Sequence, residues 1–157
     1  MSNSYPLDAV DLRLLGLLQQ DCAATNQRLA ERAGVSPATA LRRVKAMVDA
    51  GVIERQVAVL NPDAIGAGLI ALVEVTLDRQ GADWLDAFEA HALPFDEVQQ
   101  CYRVSPGPDF LLVLQVRDMA AYAELTQRLF TSQANVRNVK AFFSLKRAKF
   151  SSRLQLG

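Results

Sequence analysis

A glycine turn between two short amphipathic helical patterns, in the stretch Asn26 to Gly51 (NQRLAERAGVSPATALRRVKAMVDAG), constrains this chain more than any other feature. Leu29, Ala30 and Ala33 fall on one face of the first pattern, Gly34 takes a sharp turn without a Cβ clash, and Val35 turns into the core. The second pattern opens on Ser36, whose hydroxyl can accept from an orphan backbone N–H, and on Pro37, whose missing N–H would be unpaired there anyway. Gly51 closes it. The order is that of a helix-turn-helix.

At about 100° per residue, Pro37, Leu41, Val44 and Val48 project to one side of the second helix, and Thr39, Arg42, Arg43 and Ala46 to the other. The first set is expected to pack and the second to be presented. A presented face that is small near the helix start and bears guanidinium groups in its middle suits the major groove of double-stranded DNA, where arginine bonds guanine edges or neutralises phosphates. The plainer reading is a solvated helical hairpin kept soluble by its arginines.

Charge neither demands nor forbids a nucleic-acid partner. The 157 residues hold 17 Lys plus Arg against 17 Asp plus Glu, and division at Leu60 leaves 7 basic against 6 acidic before it and 10 against 11 after it. Basicity is therefore local to the presented helix, which predicts modest non-specific affinity for DNA. Two distant cysteines, Cys22 and Cys101, read as reduced cytosolic thiols and offer no metal framework. The start MSNSYPLDAVD lacks the basic and apolar regions of a signal peptide, and no apolar run approaches the roughly 20 residues that span a bilayer. The expectation is a soluble cytoplasmic protein.

Before the motif, Asp8 begins a helix to about Gln20, with Asp11 completing an acidic capping box and Leu7, Leu14, Leu15 and Leu18 as its buried stripe. After it, the alternation of Ile53 to Val59 predicts the strand of a wing, where Arg55 either touches a phosphate or is an ordinary surface arginine. This sets a winged helix-turn-helix domain at 1–60 and a hinge at 61–68, marked by Asn61-Pro62 and Gly66-Ala67-Gly68. From 69 to 157 the pattern is strand Leu69 to Leu77, helix Asp83 to Ala92, strands Val98 to Val104 and Phe110 to Val116, helix Met119 to about Ser132, and strand Val136 to Leu145. Such βαββαβ order predicts a ferredoxin-like sandwich, so the whole chain is of the α+β class.

Leu69-Ile70-Ala71-Leu72-Val73 and Phe110-Leu111-Leu112-Val113-Leu114 are apolar on both faces, although helices cover only one side of such a sheet. A second copy of the chain, sheet against sheet, is the simplest cover, and a two-fold dimer also pairs the recognition helices. The alternative cover is the segment after Asn61 or the C-terminal tail.

The chain as a whole resembles the Lrp/AsnC family of bacterial and archaeal transcription regulators. The likeness is carried by LDAVDLRLLGLLQQD (Leu7 to Asp21), LAERAGVSPATALRRVKAMVDAGVI (Leu29 to Ile53), VLNPDAIG (Val59 to Gly66) and CYRVSPGPDFLL (Cys101 to Leu112). It implies a hinge-linked sandwich that mediates dimers and higher, even-numbered rings, with an amino acid or related metabolite bound between dimers. By the resemblance Ser36, Thr39, Arg42 and Arg43 face DNA, and the loop Ser105 to Asp109, with Ser105, Gly107 and Asp109, borders the effector.

That loop departs from the family's Gly-Asp-x-Asp-like turn. Pro106 and Pro108 remove two backbone donors and stiffen it, and Val139 and Ala141 stand where hydroxyl residues are common. An apolar or aromatic effector is expected rather than a polar amide. Asp109 either holds an α-ammonium group or caps its own turn. A ligand-independent DNA-binding assembly protein is the alternative function, and a small ferredoxin-like enzyme a further one. One histidine, His91 at a helix end, and no nucleophile set argue against catalysis, and no cofactor is expected beyond an effector. Trp84 and Phe88 are expected as core anchors, Phe142-Phe143 to split between the sheet faces, and Lys140, Lys146, Arg147 and Lys149 to solvate an edge.

Overall fold

The computed structural model describes residues 5–66, 68–133 and 135–156. The chain forms two compact units, Met1–Val59 with Lys149–Gly157, and Leu60–Ala148.

In the first unit, α1 (Ala9–Leu18) starts where the capping box requires. Asp8 Oδ1 accepts from the N–H groups of Val10 and Asp11 at 2.8 and 2.9 Å, and Asp11 Oδ2 accepts in return from the Asp8 N–H at 3.1 Å. Its buried face is Asp11, Leu14 and Leu15. Leu7 precedes the cap and stays exposed, and Leu18 is half-buried, so the apolar stripe is shorter than expected at both ends. Thr25 caps α2 (Asn26–Ala33), which ends at Gly34 with φ 72°, a left-handed conformation that glycine adopts at no steric cost. Ser36 Oγ then accepts from the Thr39 N–H at 3.2 Å to open α3 (Pro37–Asp49).

The core of this unit gathers Leu14, Leu15, Leu29, Ala30, Ala33, Ala40 and Met47. α3 is thus turned by roughly 70° from the expected projection: Ala40, Val44 and Met47 face inward, whereas Leu41 is 61% exposed and Val48 is exposed too. The tight turn brings α3 close to α2, and a methyl group fits that approach better than a leucine. The expected wing strand is absent, since residues 53–59 form no ladder among the described residues. Val52 and Ile53 bond back to the Met47 carbonyl, and the extended segment beyond them lacks the partner strand that an isolated strand needs for stability. The C-terminal tail belongs here rather than to the sandwich expected to span 69–157. The Gln19 side chain accepts from the Leu154 N–H at 2.6 Å and donates to its carbonyl at 3.2 Å.

In the second unit, the expected hinge contains a one-turn helix, α4 (Pro62–Ile65), capped by Asn61. Gly68 follows at φ 46°, where a Cβ would strike the carbonyl oxygens of Val116 and Arg117, so the approach to the sheet requires glycine. Strands β1 (Leu69–Leu77), β2 (Val98–Arg103), β3 (Phe110–Val116) and β4 (Val136–Phe143) make an antiparallel sheet in the order β2-β3-β1-β4. The helices are α5 (Ala82–Ala92) and α6 (Met119–Thr126), the latter running on as a π turn over Gln127–Thr131. Every expected element of the ferredoxin-like sandwich is present, with boundaries differing by one or two residues.

Alternation sorts the strands into two faces. Ala71, Val73, Val75 and Leu77 of β1 and Phe110, Leu112, Leu114 and Val116 of β3 are buried with Phe88, Ala92, Leu125, Leu129 and Phe130 from the helical layer. Phe88 and Phe110 rings lie 4.7 Å apart. The opposite face is uncovered in the isolated chain: Leu72 is 48% exposed, and Tyr102, Leu111 and Phe142 are exposed beside it. Leu72 pairs with both Val113 and Phe142, and Leu111 with Tyr102, so these side chains form one continuous apolar patch across all four strands. Phe143 turns to the helical side and meets Tyr122 edge-on at 4.9 Å, splitting the pair as expected. Trp84 is not a core anchor. It lies 41% exposed with the Arg79 guanidinium 4.9 Å from its ring centroid, leaving Phe88 to fill the core.

Candidate functional site

The rotation of α3 decides what it offers. Pro37, Ala38, Leu41, Arg42, Lys45, Val48 and Asp49 are exposed, with Ser36 exposed at the helix start and Thr39 half-buried beside it. Ser36 Oγ and Thr39 Oγ1 lie 2.9 Å apart, and the Asn26 side chain donates to the Pro37 carbonyl at 2.7 Å, which fixes where the first turn begins. Ala38, small and near the N-terminus, permits close approach. Arg42 and Lys45 follow along the same face with a guanidinium and an ammonium, groups that bond base edges and phosphates. The sequence projection found Arg42 and missed Lys45. The spacing of Ala40, Val44 and Met47 at i, i+4 and i+7 held the signal, because the face opposite that trio is Ala38, Arg42, Lys45 and Asp49.

Arg43 is not on this face, contrary to the sequence expectation. Its Nη1 donates to Asp8 Oδ2 at 2.7 Å and to Asp11 Oδ1 at 3.0 Å, with Asp11 only 1% exposed. The hydrogen bond to Asp11 and then that to Asp8 raise the Arg43 pKa above its ordinary value. The backbone N–H of Asp11 and then the Arg43 guanidinium hold the Asp8 carboxyl below the usual range. Ala46 is half-buried rather than presented. Arg55 is exposed on the extended segment after α3, where a basic side chain is available though no wing ladder supports it.

In the second unit the loop from Ser105 to Asp109 joins β2 to β3, with a cis Ser105–Pro106 peptide and Gly107 at φ 121°. Ser105 and Gly107 are exposed. Asp109 does not cap its own turn: its Oδ2 accepts from the Leu77 N–H at 2.6 Å and from Gln80 Nε2 at 3.3 Å. It ties the end of the neighbouring strand instead of its own turn. Val139 and Ala141 pair with Val75 and Val73 and pack toward the helical layer, so their lack of hydroxyls serves the core.

Among the cavities lined by described residues, two lie at opposite ends of β1. The larger, about 430 Å³, lies at the far end of β1 from Asp109 and is lined by Pro62, Gly68, Ile70, Ser144 and Lys146 among others. The smaller, about 170 Å³, is at the Asp109 end, under Leu77, Trp84, Phe88 and Val136. His91 Nε2 lies 3.2 Å from the Leu129 carbonyl, a tie between α5 and the π turn. Cys22 and Cys101 are free thiols, and burial raises the pKa of the latter. Among the described residues no group of three His, Cys, Asp or Glu is placed to hold a metal, and no helix is long and apolar enough to cross a membrane.

Known proteins share both halves. Residues 7–54 match the winged helix-turn-helix DNA-binding family, and residues 70–154 the Lrp/AsnC ligand binding domain. An uncharacterised HTH-type transcriptional regulator of Haemophilus influenzae is 36% identical over 146 residues, 93% of this chain and 87% of that protein. The leucine-responsive regulatory protein of Escherichia coli K12 is 34% identical over 148 residues, 94% of this chain and 90% of that one. Among solved structures, a transcriptional regulator of Neisseria meningitidis in complex with L-Met superposes with a TM-score of 0.85 at 31% identity, covering 96% of this chain and 97% of that one. With the ligand-binding family model matched over more than half of the chain, the DNA-binding model over its helical unit, and relatives above 30% identity over nearly its whole length, the chain belongs to the Lrp/AsnC family of helix-turn-helix transcription regulators.

Proposed function

We propose that the chain is a sequence-specific, homo-oligomeric transcription regulator of the cytoplasm that contacts double-stranded DNA through α3 and responds to an apolar amino acid. The observation that carries it is the outward face of α3, where Ser36 and Thr39 open the helix and Ala38, Arg42 and Lys45 are turned away from the core. Arg55, beside this helix in sequence, supplies a further phosphate contact. The exposed apolar patch of the sheet supports assembly: a second copy placed sheet to sheet covers Leu72, Leu111 and Phe142 and duplicates α3 about a two-fold axis.

For the effector, Ser105, Gly107 and Asp109 border the site at one end of the sandwich. The 170 Å³ cavity at that end is lined by Leu77, Trp84, Ala87, Phe88 and Val136 together with the amides Gln133 and Asn135, a mostly apolar wall that suits an aliphatic or thioether side chain. The Neisseria relative was crystallised with L-Met and the Escherichia coli relative is called leucine-responsive, both in keeping with an apolar ligand. The test is fluorescence anisotropy on a duplex selected by the wild-type protein from a random-sequence pool, with and without L-Met or L-Leu. Arg42→Ala should weaken binding by about 1 to 3 kcal/mol if it reads a base. If it touches a phosphate, the salt slope should fall by about one unit instead. Added amino acid should shift wild-type affinity. A folded Arg42→Ala protein that binds like wild type would remove α3 from the interface.

A further inference from the structure

Asp8 and Asp11 each divide their two carboxylate oxygens between the same two tasks. One oxygen of each caps α1: Asp8 Oδ1 accepts from Val10 and Asp11, and Asp11 Oδ2 from Asp8. The other oxygen of each takes the single Nη1 of Arg43, at 2.7 and 3.0 Å. The start of α1 and the middle of α3 are therefore one hydrogen-bonded network. α1 also grips the other arm of the motif, since Arg13 Nε donates to the Ala33 carbonyl at 3.2 Å, immediately before the Gly34 turn.

This network is a poor way to gain stability alone. Asp11 is 1% exposed, and the buried Arg43 Nε has no hydrogen-bond partner among the described residues. Desolvating such groups offsets much of their attraction, whereas their directional geometry can select one arrangement over its neighbours. The apolar contact of α3 needs that selection. It is made by Ala40, Val44 and Met47; the Ala40 methyl interdigitates little and the unbranched Met47 side chain adapts to its surroundings, so this contact alone sets the roll of the helix only loosely.

We propose that Asp11, acting through Arg43, sets the roll of α3 that presents Ala38, Arg42 and Lys45, so that Asp11 and Arg43 are positioning residues for DNA binding and not contacts with DNA. The proposal rests on α3 being the DNA-contacting helix. Asp11 is buried in the body of the unit and cannot reach a duplex, which makes it the discriminating position.

The experiment compares full-length Asp11→Asn, Arg43→Met, the double variant, Arg43→Lys and Arg42→Ala by anisotropy on the same selected duplex, at a temperature where circular dichroism shows each folded. Asp11→Asn should weaken binding by about fivefold, Arg43→Met by at least as much, and the double variant no more than Arg43→Met. Arg43→Lys should recover most of the loss, because one ammonium can bridge both carboxylates. Wild-type affinity in Asp11→Asn, or a full further loss on adding Arg43→Met to it, would mean that Arg43 touches DNA and would overturn the proposal. If either variant is unfolded, Asp8→Asn at the exposed side of the network replaces it, with reduced affinity in support and wild-type affinity against. Arg42→Ala separates the two readings. Its loss of binding beside an intact Asp11→Asn overturns the positioning role alone, and wild-type binding by Arg42→Ala overturns both.

Discussion

The helical unit hides charge and the sandwich exposes apolar surface, the reverse of what each would do if stability were all that shaped it. In the first, a buried aspartate and an arginine with an orphaned nitrogen occupy positions that aliphatic side chains could fill. In the second, a finished core of Phe110, Leu112 and Leu114 lies one residue away from an uncovered row containing Leu111 and Val113. The contrast teaches that the first unit is organised around holding one helix at a set angle. The second presents an exposed apolar face of the kind that marks an interaction site.

The largest expected effect tests the two faces of the sheet against each other. Leu112→Asp places an unpaired charge in the closed core and should unfold the sandwich, at a cost of about 4 kcal/mol or more. Val113→Asp, one position along, should leave a cooperative thermal transition while sedimentation velocity shifts from dimer to monomer. Equal damage to the fold from both would erase the distinction between the faces.

A smaller effect distinguishes the two units by acid. Asp8 is held below its ordinary pKa by the Asp11 N–H and Arg43, and Asp118, which caps α6, by the Ala121 N–H and then Arg117. A folded-state pKa below the unfolded one gives stability that is present above about pH 3.9 and lost as pH falls through that value toward the folded pKa. Asp8 also anchors α3, and in the sandwich Glu97 is held below its ordinary value too, by its own backbone N–H and then by Arg128. Between about pH 6 and pH 3 the melting temperatures of both units should therefore fall, through Asp8 in the helical unit and through Asp118 and Glu97 in the sandwich. Differential scanning calorimetry resolves the two, and Asp8→Asn should flatten the decline of the helical unit alone; an unchanged decline in that variant would mean that the Asp8 link to α3 contributes nothing.

Much of this architecture is legible in the sequence because it is written in local chemistry. Asp8 with Asp11, and Ser36 with Pro37, name their helix starts by capping alone, and β1 and β3 declare themselves through apolar runs of strand length. The rotation of α3 was not legible from hydrophobicity, because a close helix crossing favours Ala40 over the more apolar Leu41. Arg43 reads as a surface cation until the two acids on α1 are brought opposite it in space. The wing failed for a related reason: the alternation in residues 53–59 is real, but a ladder depends on a neighbour that local sequence does not specify. In the loop between β2 and β3, Asp109 is visible in the sequence as a carboxylate, and only the register placing it beside Leu77 shows what it bonds.

The outward face of α3, proposed to contact DNA, and the apolar face of the sheet, proposed to pack on a second copy, are tested together by one measurement. Light scattering coupled to size-exclusion chromatography gives the mass of the full-length protein bound to its selected duplex. Two chains, or a larger even number, on each duplex is the expected result. A single chain per duplex, or a monomer that binds no DNA at micromolar concentration, would contradict it.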